Sequence, residues 1–484
     1  MSDYTRKYRL IRDIYSDPET VGKDVTVCGH IFTIRFAAKG TIAFISLVDG
    51  STARHLQCVY TKQGAQHDEL FKHLHKGACL KLSGTIMKCP PSAQGQLFEL
   101  QVKSYECYGS VDSETYPLAG KGEIQLDTLR QLPHLRGRTK TFMAVEVIKK
   151  RTYSAIHEYM KKIGFGEIAP TETTENECEA GSCPFTVTTL IDKDVKTIPV
   201  KEGTSKIDYD KDFYRKRVYL TVSAQLHLEA TVCASGDGYC MTTAFRAEPS
   251  TGTKHLSEFC MPEYEFRFGT LDDNMQISEG LLKYCITSVL KDCTYELEYL
   301  QESSLGLIAD LQKYVSQPFV RTTHQECVKR MLEDKEASKV TFEVDPAYDE
   351  DLTKEHERYI TEKLYGGLPV FVKYFPKKVK AFYMPIVDKG AEIEHVDCFD
   401  LLFSSLGEIA GASQRIWKYD EFVKRMDEMG VSKEPLDWYL DLRRQGSCPH
   451  GGAGLGFGRL IMILTGLQIK DTQEFYRSYQ ACLF

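Results

Sequence analysis

Between residues 21 and 110, apolar and polar positions alternate in short runs: DVTVCGHIFTI, GTIAFISLVDG, HLQCVYT, ACLKLSGTIM and GQLFELQVKSYECYG. The runs are rich in β-branched and aromatic residues and end at Gly, Pro or Asp, which predicts five short strands. A connector over 111–140 contains YPLAGKGE and the basic LRGRTK. From Val145 the period changes: Val145, Ile148, Ala155, Ile156, Tyr159, Met160 and Ile163 recur at helical spacing, with Gly164 just past the end. Strands and loops are expected to about 268, then a long helix over 277–315 and a mostly helical stretch with charged loops over 320–365. LPVFVKYF, KAFYMPIV and HVDCFDLLF read as strands, followed by a Gly-rich stretch and a helix over about 453–465.

Strands outnumber the helices between them, and no regular βαβ alternation appears. The expected class is α+β: a five-stranded N-terminal barrel, for which an oligonucleotide-binding (OB) fold is the natural form, and a larger antiparallel sheet flanked by helices. The barrel pattern alone also fits other small β domains. The expected division is 1–110 barrel, 111–140 linker and 141–484 the larger sheet-and-helix domain.

The chain has 484 residues, 42% hydrophobic and 27% charged, which excludes a disordered or fibrous chain. Against 68 acidic residues stand 61 basic ones, so nucleic acid must be met by a local patch, not a global field. None of the 16 cysteines stands in a C-x-x-C spacing, so structural zinc gains no support and reduced thiols in the cytoplasm are expected. The opening MSDYTRKYRLIRDIYSDPE has neither a signal peptide's apolar core nor a transit peptide's lack of acids. Runs such as LIMIL fall far short of the ~20 residues of a membrane span, so no membrane partner is expected.

Four clusters can carry chemistry. The first is Arg246, Glu248, Lys254, His255, Phe259 and Glu263, on two strands joined by a Pro249–Thr253 loop. An arginine fork, further cations, an aromatic face and an acceptor suit a purine nucleotide, although a charged hairpin has the same composition. The second is CPHGGAGLGFGRL, which matches neither common glycine-rich nucleotide motif but sets Arg459 near a helix start; tight packing is the plainer reading. The third pairs Asp400 with Glu408 on adjacent strands, able to hold Mg²⁺ against polyphosphate, with Arg415 beyond; a solvated acidic face is the alternative. The fourth, LTVSAQLHLE over 220–229, reads only as a strand-to-helix junction.

In this order and spacing the clusters resemble class II aminoacyl-tRNA synthetases of the aspartate–asparagine–lysine subgroup, from about residue 20 to the C-terminus. The helix from about 145 with GFGEIAP looks like the first class motif, AFRAEPSTGTKHLSEFCMPEYEFRF like the second and GAGLGFGRL like the third. LTVSAQL, KAFYM and GEIAGASQR look like the asparagine-specific branch. Aspartate-specific members typically carry a proline at the position of Ala381 and a lysine at that of Leu228.

The resemblance implies two substrates, ATP and L-asparagine, with Mg²⁺, and tRNA(Asn) as acceptor; DNA is not implied. Arg246 is expected at the α-phosphate, Glu248 and Phe259 at adenine, and Lys254, His255 and Arg459 at the further phosphates. Asp400 and Glu408 are expected to bind Mg²⁺. Glu179, Ser223 and Gln225 are expected around the α-amino end of asparagine, with Glu263 nearby. Arg415 and Glu229 are expected to read the side-chain amide, Glu229 as a lone carboxylate that repels aspartate. The barrel would receive the anticodon through Phe32, Arg35, Phe44 and Gln57. Arg136, Arg138, Lys140, Lys149, Lys150 and Arg151 are expected to meet the RNA backbone, and the first motif to form a homodimer.

Three departures stand out. Gly458 replaces an acid often found before the third-motif arginine, two extra residues lie between Phe44 and Gln57, and Lys254 stands where arginine is usual. Three alternatives remain: an aspartate-specific or relaxed synthetase, an inactive tRNA-binding paralogue, and asparagine synthesis from aspartate. Leu228 and Glu229 oppose the first, the joint presence of Arg246, Glu408 and Arg459 the second, and the barrel the third.

Overall fold

A computed structural model describes the chain except residues 1–3, 63–67, 90–95, 121, 123, 177–182, 192–196, 251 and 405. The chain divides into two compact units: residues 1–151 with 289–308, and residues 152–288 with 309–484.

In the first unit, β1 (Asp24–Ala37), β2 (Ile42–Val48), β3 (Leu56–Thr61), β4 (Cys79–Lys88) and β5 (Phe98–Gly109) close a barrel in the order β1-β2-β3-β5-β4. Strand alternation sends Ala43, Ile45 and Leu47 of β2 inward, against Val27, Ile31, Leu82 and Leu100, and leaves Phe44 and Ser46 facing out. The Ser51–Arg54 turn, which carries the two extra residues, is anchored: Glu296 accepts from the Thr52 hydroxyl at 2.6 Å and from the Ala53 amide at 2.8 Å.

The second unit is built on a mainly antiparallel sheet. Its strands are β6 (Gly166–Glu167), β10 (Gly238–Phe245), β11 (Glu258–Arg267), β12 (Val320–Thr323), β13 (Val370–Lys373), β14 (Cys398–Phe403), β15 (Gly407–Gln414) and β16 (His450–Leu455), in the order β12-β13-β14-β15-β16-β11-β10-β6. Only the outermost pairs, β12/β13 and β10/β6, are parallel. β7 (Thr173–Thr174), β8 (Thr186–Val187) and β9 (Val218–Leu220) form a small separate sheet, and β17 (Arg477–Ser478) and β18 (Ala481–Cys482) a short ribbon beside β11.

Four expectations about elements need correction. The single helix over 277–315 is three helices, Leu271–Asp292, Thr294–Gln301 and Leu307–Ser316. Cys293 leaves helical geometry at φ −122°, and Gly306 turns the chain at φ +85°, a conformation glycine adopts freely. Residues 320–365 are helical over His324–Glu336, Lys354–Tyr359 and Ile360–Leu364, as expected, but open with the strand β12, and the chain over 337–353 is irregular. KAFYM is not a strand: Phe382 and Tyr383 pack with Phe422 and Tyr439 instead of pairing in a ladder. The helix expected over 453–465 starts at Phe457, because 450–455 is a central strand. A Cβ at Gly452 would lie 2.1 Å from both the Glu265 carboxylate and the Tyr264 carbonyl, so glycine is what lets β16 approach β11.

Candidate active site

A cavity of about 630 Å³ opens in the second unit. The β10–β11 hairpin supplies one wall. β10 ends at Phe245, so Arg246 and Glu248 stand just past the strand, in the connection that returns at Glu258. Arg246, Glu248, Lys254, His255 and Phe259 all line the cavity. The Arg246 guanidinium lies 5.7 Å from the centre of the Phe259 ring and donates to the Val222 carbonyl at 3.4 Å. Lys254 Nζ donates to the Leu406 carbonyl at 2.8 Å. His255 Nδ1 lies 3.2 Å from the Ser250 hydroxyl. Burial, with Arg459 adding, lowers the titration of His255 below the usual imidazole range. Arg459, third residue of the helix Phe457–Thr465, lines the same cavity and donates to the Glu408 carbonyl at 2.5 Å. Arg246 and Arg459, far apart in sequence, therefore share one site. Gly458 also lines it. A Cβ there would meet Ile469 Cδ1 at 2.7 Å, so Ile469 fills the space an acid would enter.

Asp400 and Glu408 come together across β14 and β15, whose register shifts between Leu401 and Leu402. A Cβ built on Gly411 would lie 3.1 Å from Glu408 Oε1 and 3.9 Å from Asp400 Oδ1. Two carboxylate oxygens thus flank a gap kept open by a glycine, a donor set that suits a hard divalent cation. Lys380 Nζ donates to Asp400 at 2.6 Å. Burial pushes Asp400 up to about 6, with Lys380 opposing and Glu408 adding.

Ser223, Gln225, Glu263 and Arg415 also line the cavity. Glu263 accepts from the Ser223 hydroxyl at 2.5 Å and the Ala224 amide at 2.9 Å. Arg415 forks onto Glu265, Nε to Oε1 at 3.1 Å and Nη2 to Oε2 at 3.0 Å, and donates to the Ser413 hydroxyl at 2.6 Å. Leu228 closes this part of the wall and is 1% exposed. Glu179 lies outside the described residues.

Residues 125–478 match the family model for tRNA synthetases class II (D, K and N), and residues 25–108 that for an OB-fold nucleic acid binding domain. The Asparagine--tRNA ligase of Borrelia garinii subsp. bavariensis is 37% identical over 474 residues, 97% of this chain and 98% of its relative. The chain belongs to the class II tRNA synthetases of the D, K and N group. Its architecture also follows the asparaginyl-tRNA synthetase from Pyrococcus horikoshii complexed with asparaginyl-adenylate, at TM-score 0.81 and 27% identity, covering 99% and 100% of the two chains. The Entamoeba histolytica asparaginyl-tRNA synthetase in complex with asparaginyl-adenylate gives 0.77 and 26%, covering 95% and 96%.

In this synthetase Glu229 departs from its expected position. It is 0% exposed and is not among the cavity-lining residues described. It is not a lone charge either: Arg443 Nη2 donates to Oε2 at 2.9 Å, the Tyr439 hydroxyl at 2.6 Å, and His450 Nε2 lies at 3.0 Å from the same oxygen. Burial alone would raise its carboxyl, but Arg443, with His450 and Arg415, holds it well below the usual carboxylate range. A bare buried carboxylate is too costly to keep, which is why the fold pairs it. Glu229, Glu265 and His450 also present a compact set of metal-ligand atoms, but Arg415 and Arg443 already neutralise the two acids.

On the barrel of the synthetase, Arg35, Phe44 and Gln57 share an outward face. Arg35 pairs with Phe44 across β1 and β2, its guanidinium 4.6 Å from the ring centre, and Gln57 Nε2 donates to Glu99 at 3.1 Å. Phe32 falls at the β1 irregularity between Ile31 and Thr33. The expected basic RNA contacts need correction. Arg136 is 1% exposed against Phe142, and Lys149 is buried and donates to Glu146, so neither presents its charge to a phosphate.

Sequence reasoning missed Lys380, Glu265, Arg443 and Glu357. Glu357, on the helix Lys354–Tyr359, reaches the Asp400–Glu408 region: its Oε2 lies 2.4 Å from the Cβ position of Gly407. Burial raises its carboxyl to about 7, with Glu408 and Asp400 adding and Arg459 opposing. Glu265 stands in the second-motif stretch EYEF and Lys380 opens KAFYM, so both lie in quoted motifs without a role assigned to them; nothing marks Arg443 or Glu357.

Proposed function

We propose that this class II synthetase is an asparagine–tRNA ligase, which activates L-asparagine with ATP and transfers it to the 3′ end of tRNA(Asn). The observation that carries the reading is one cavity lined both by Arg246, Phe259 and Arg459 and by Ser223, Gln225 and Arg415, with Leu228 where aspartate-specific members typically have a lysine. The full-length relative named Asparagine--tRNA ligase supports it.

The asparagine carboxylate attacks the α-phosphorus in line, and the bond to the bridging oxygen breaks to release pyrophosphate. No protein nucleophile is needed. Alignment and charge stabilisation do the work. Arg246 forks onto the α-phosphate, Phe259 stacks on adenine and Glu248 accepts from its amine. Lys254, His255 and Arg459 meet the outer phosphates. Asp400 and Glu408 would hold Mg²⁺, which neutralises phosphate charge when bound. Ser223, Gln225 and Glu263 hold the α-amino end, and Arg415 donates to the side-chain carbonyl. The adenylate then acylates the terminal ribose of tRNA.

The barrel takes the anticodon loop, with Phe44 stacking on a base and Gln57, held by Glu99, reading one. The family resemblance implies pairing with a second copy through the first motif. Every described cysteine is a free thiol, which suits a reducing cytoplasm. The test is aminoacylation of purified tRNA with radiolabelled asparagine beside aspartate. Faster charging with asparagine is expected; faster charging with aspartate, or none with either, overturns the reading.

A further inference from the structure

The two oxygens of Glu229 face in different directions. Oε2 takes the Tyr439 hydroxyl and Arg443, with His450 beside it. Oε1 accepts from Gln225 Nε2 at 2.9 Å and lies 3.7 Å from Arg415 Nε. Gln225 and Arg415 line the cavity; Glu229 and Arg443 lie behind them. Arg443 is itself fixed, donating to the Ile416 carbonyl at 3.1 Å and lying 4.1 Å from the Tyr439 ring centre.

Two carboxylates, Glu229 and Glu265, and two guanidiniums, Arg415 and Arg443, therefore balance in a buried cluster. Arg415 faces both carboxylates. It can donate to a carbonyl, but it has no surplus charge for an incoming carboxylate. An ionised carboxylate only accepts, so Glu229 fixes the Gln225 amide with its NH₂ inward and its carbonyl turned the other way. Without Arg443, two buried carboxylates would share one arginine and the His450 imidazole, and the cheaper state is protonation of one of them. A protonated Glu229 can donate, releasing both the Gln225 orientation and the restraint on Arg415.

We propose that Arg443 is a specificity-determining positioning residue: by keeping Glu229 a carboxylate behind Gln225 and Arg415, it fits the cavity to a carboxamide and rejects the carboxylate of aspartate. This rests on the asparagine reading above.

The test is ATP–pyrophosphate exchange with asparagine and aspartate, comparing kcat/KM for each. In Arg443→Leu the asparagine-to-aspartate ratio should fall at least about 10-fold, in part because aspartate is activated faster than by the wild type, a gain that general damage would not produce. Arg443→Lys keeps a cation and should keep most of the preference. If Arg443→Leu does not fold, the double variant Arg443→Leu/Glu229→Gln removes both charges together and should fold with the same lost preference. An unchanged ratio in either folded Leu variant overturns the proposal. A wild type that does not prefer asparagine overturns the functional reading itself, so the two failures are distinct.

Discussion

Two parts of the cavity wall hold their charges in different ways. Around Arg459, two cations donate to neutral backbone, Lys254 to the Leu406 carbonyl and Arg459 to the Glu408 carbonyl, while Lys380 pairs with Asp400. Around Arg415, charges end on opposite charges, bidentately with Glu265 and, one layer back, between Arg443 and Glu229. A carbonyl satisfies a donor without cancelling its charge, so the first part keeps a field for a polyphosphate. The second part is neutralised before any ligand arrives and selects by the pattern of donors and acceptors.

The largest separation between the two should come from removing one arginine in each. Arg246→Ala should slow ATP–pyrophosphate exchange about 10³-fold, the scale of losing a charge-stabilising donor, with a nearly unchanged denaturation midpoint. Arg415→Leu should cost about 3–5 kcal/mol of stability, because it leaves Glu265 and Glu229 with one cation between them. Urea unfolding followed beside exchange kinetics reads both. Equal loss of stability in the two variants would erase the contrast.

The barrel offers a third kind of surface, neither field nor neutralised cluster but an outward-facing, half-buried aromatic ring. Phe44→Ala should raise the KM for tRNA about 10-fold, within the range of one lost base stack, and leave ATP–pyrophosphate exchange at the wild-type rate. A drop in exchange without a change in tRNA KM would remove Phe44 from the tRNA face.

How far the sequence could be read follows the same physics. Alternation in IAFISLV is enough to place Ala43, Ile45 and Leu47 inside and Phe44 outside, because a strand's period is local. Arg246, Glu248 and Phe259 were legible because one hairpin brings them to one wall. Residues 453–455, expected at the start of a helix, end a strand instead: glycines carry no hydrophobic period, and their meaning lies in the close approach of β11. Arg443 and Glu229 are over 200 residues apart. No local pattern distinguishes a buried arginine from an exposed one in DLRRQ, and Glu229 looked like a lone charge because its partners come from another part of the chain.

The smallest expected effect belongs to Glu357, on the charged side of the contrast. Its carboxyl titrates at about 7 in the fold, against about 4.5 ordinarily. Between those values the native state binds more protons than the unfolded chain, so its contribution to stability falls as pH rises through that window and is fully lost above about pH 8. Partial solvent screening reduces the full shift to about 1–2 kcal/mol. Glu357→Gln resembles the protonated form at every pH. Without added Mg²⁺ it should match the wild type near pH 5 and exceed it by about 1–2 kcal/mol at pH 8, read by urea unfolding at the two pH values. A variant weaker than the wild type at pH 8 would mean that Arg459 and Lys254 hold Glu357 ionised, and that this wall, like the one around Arg415, is already neutralised.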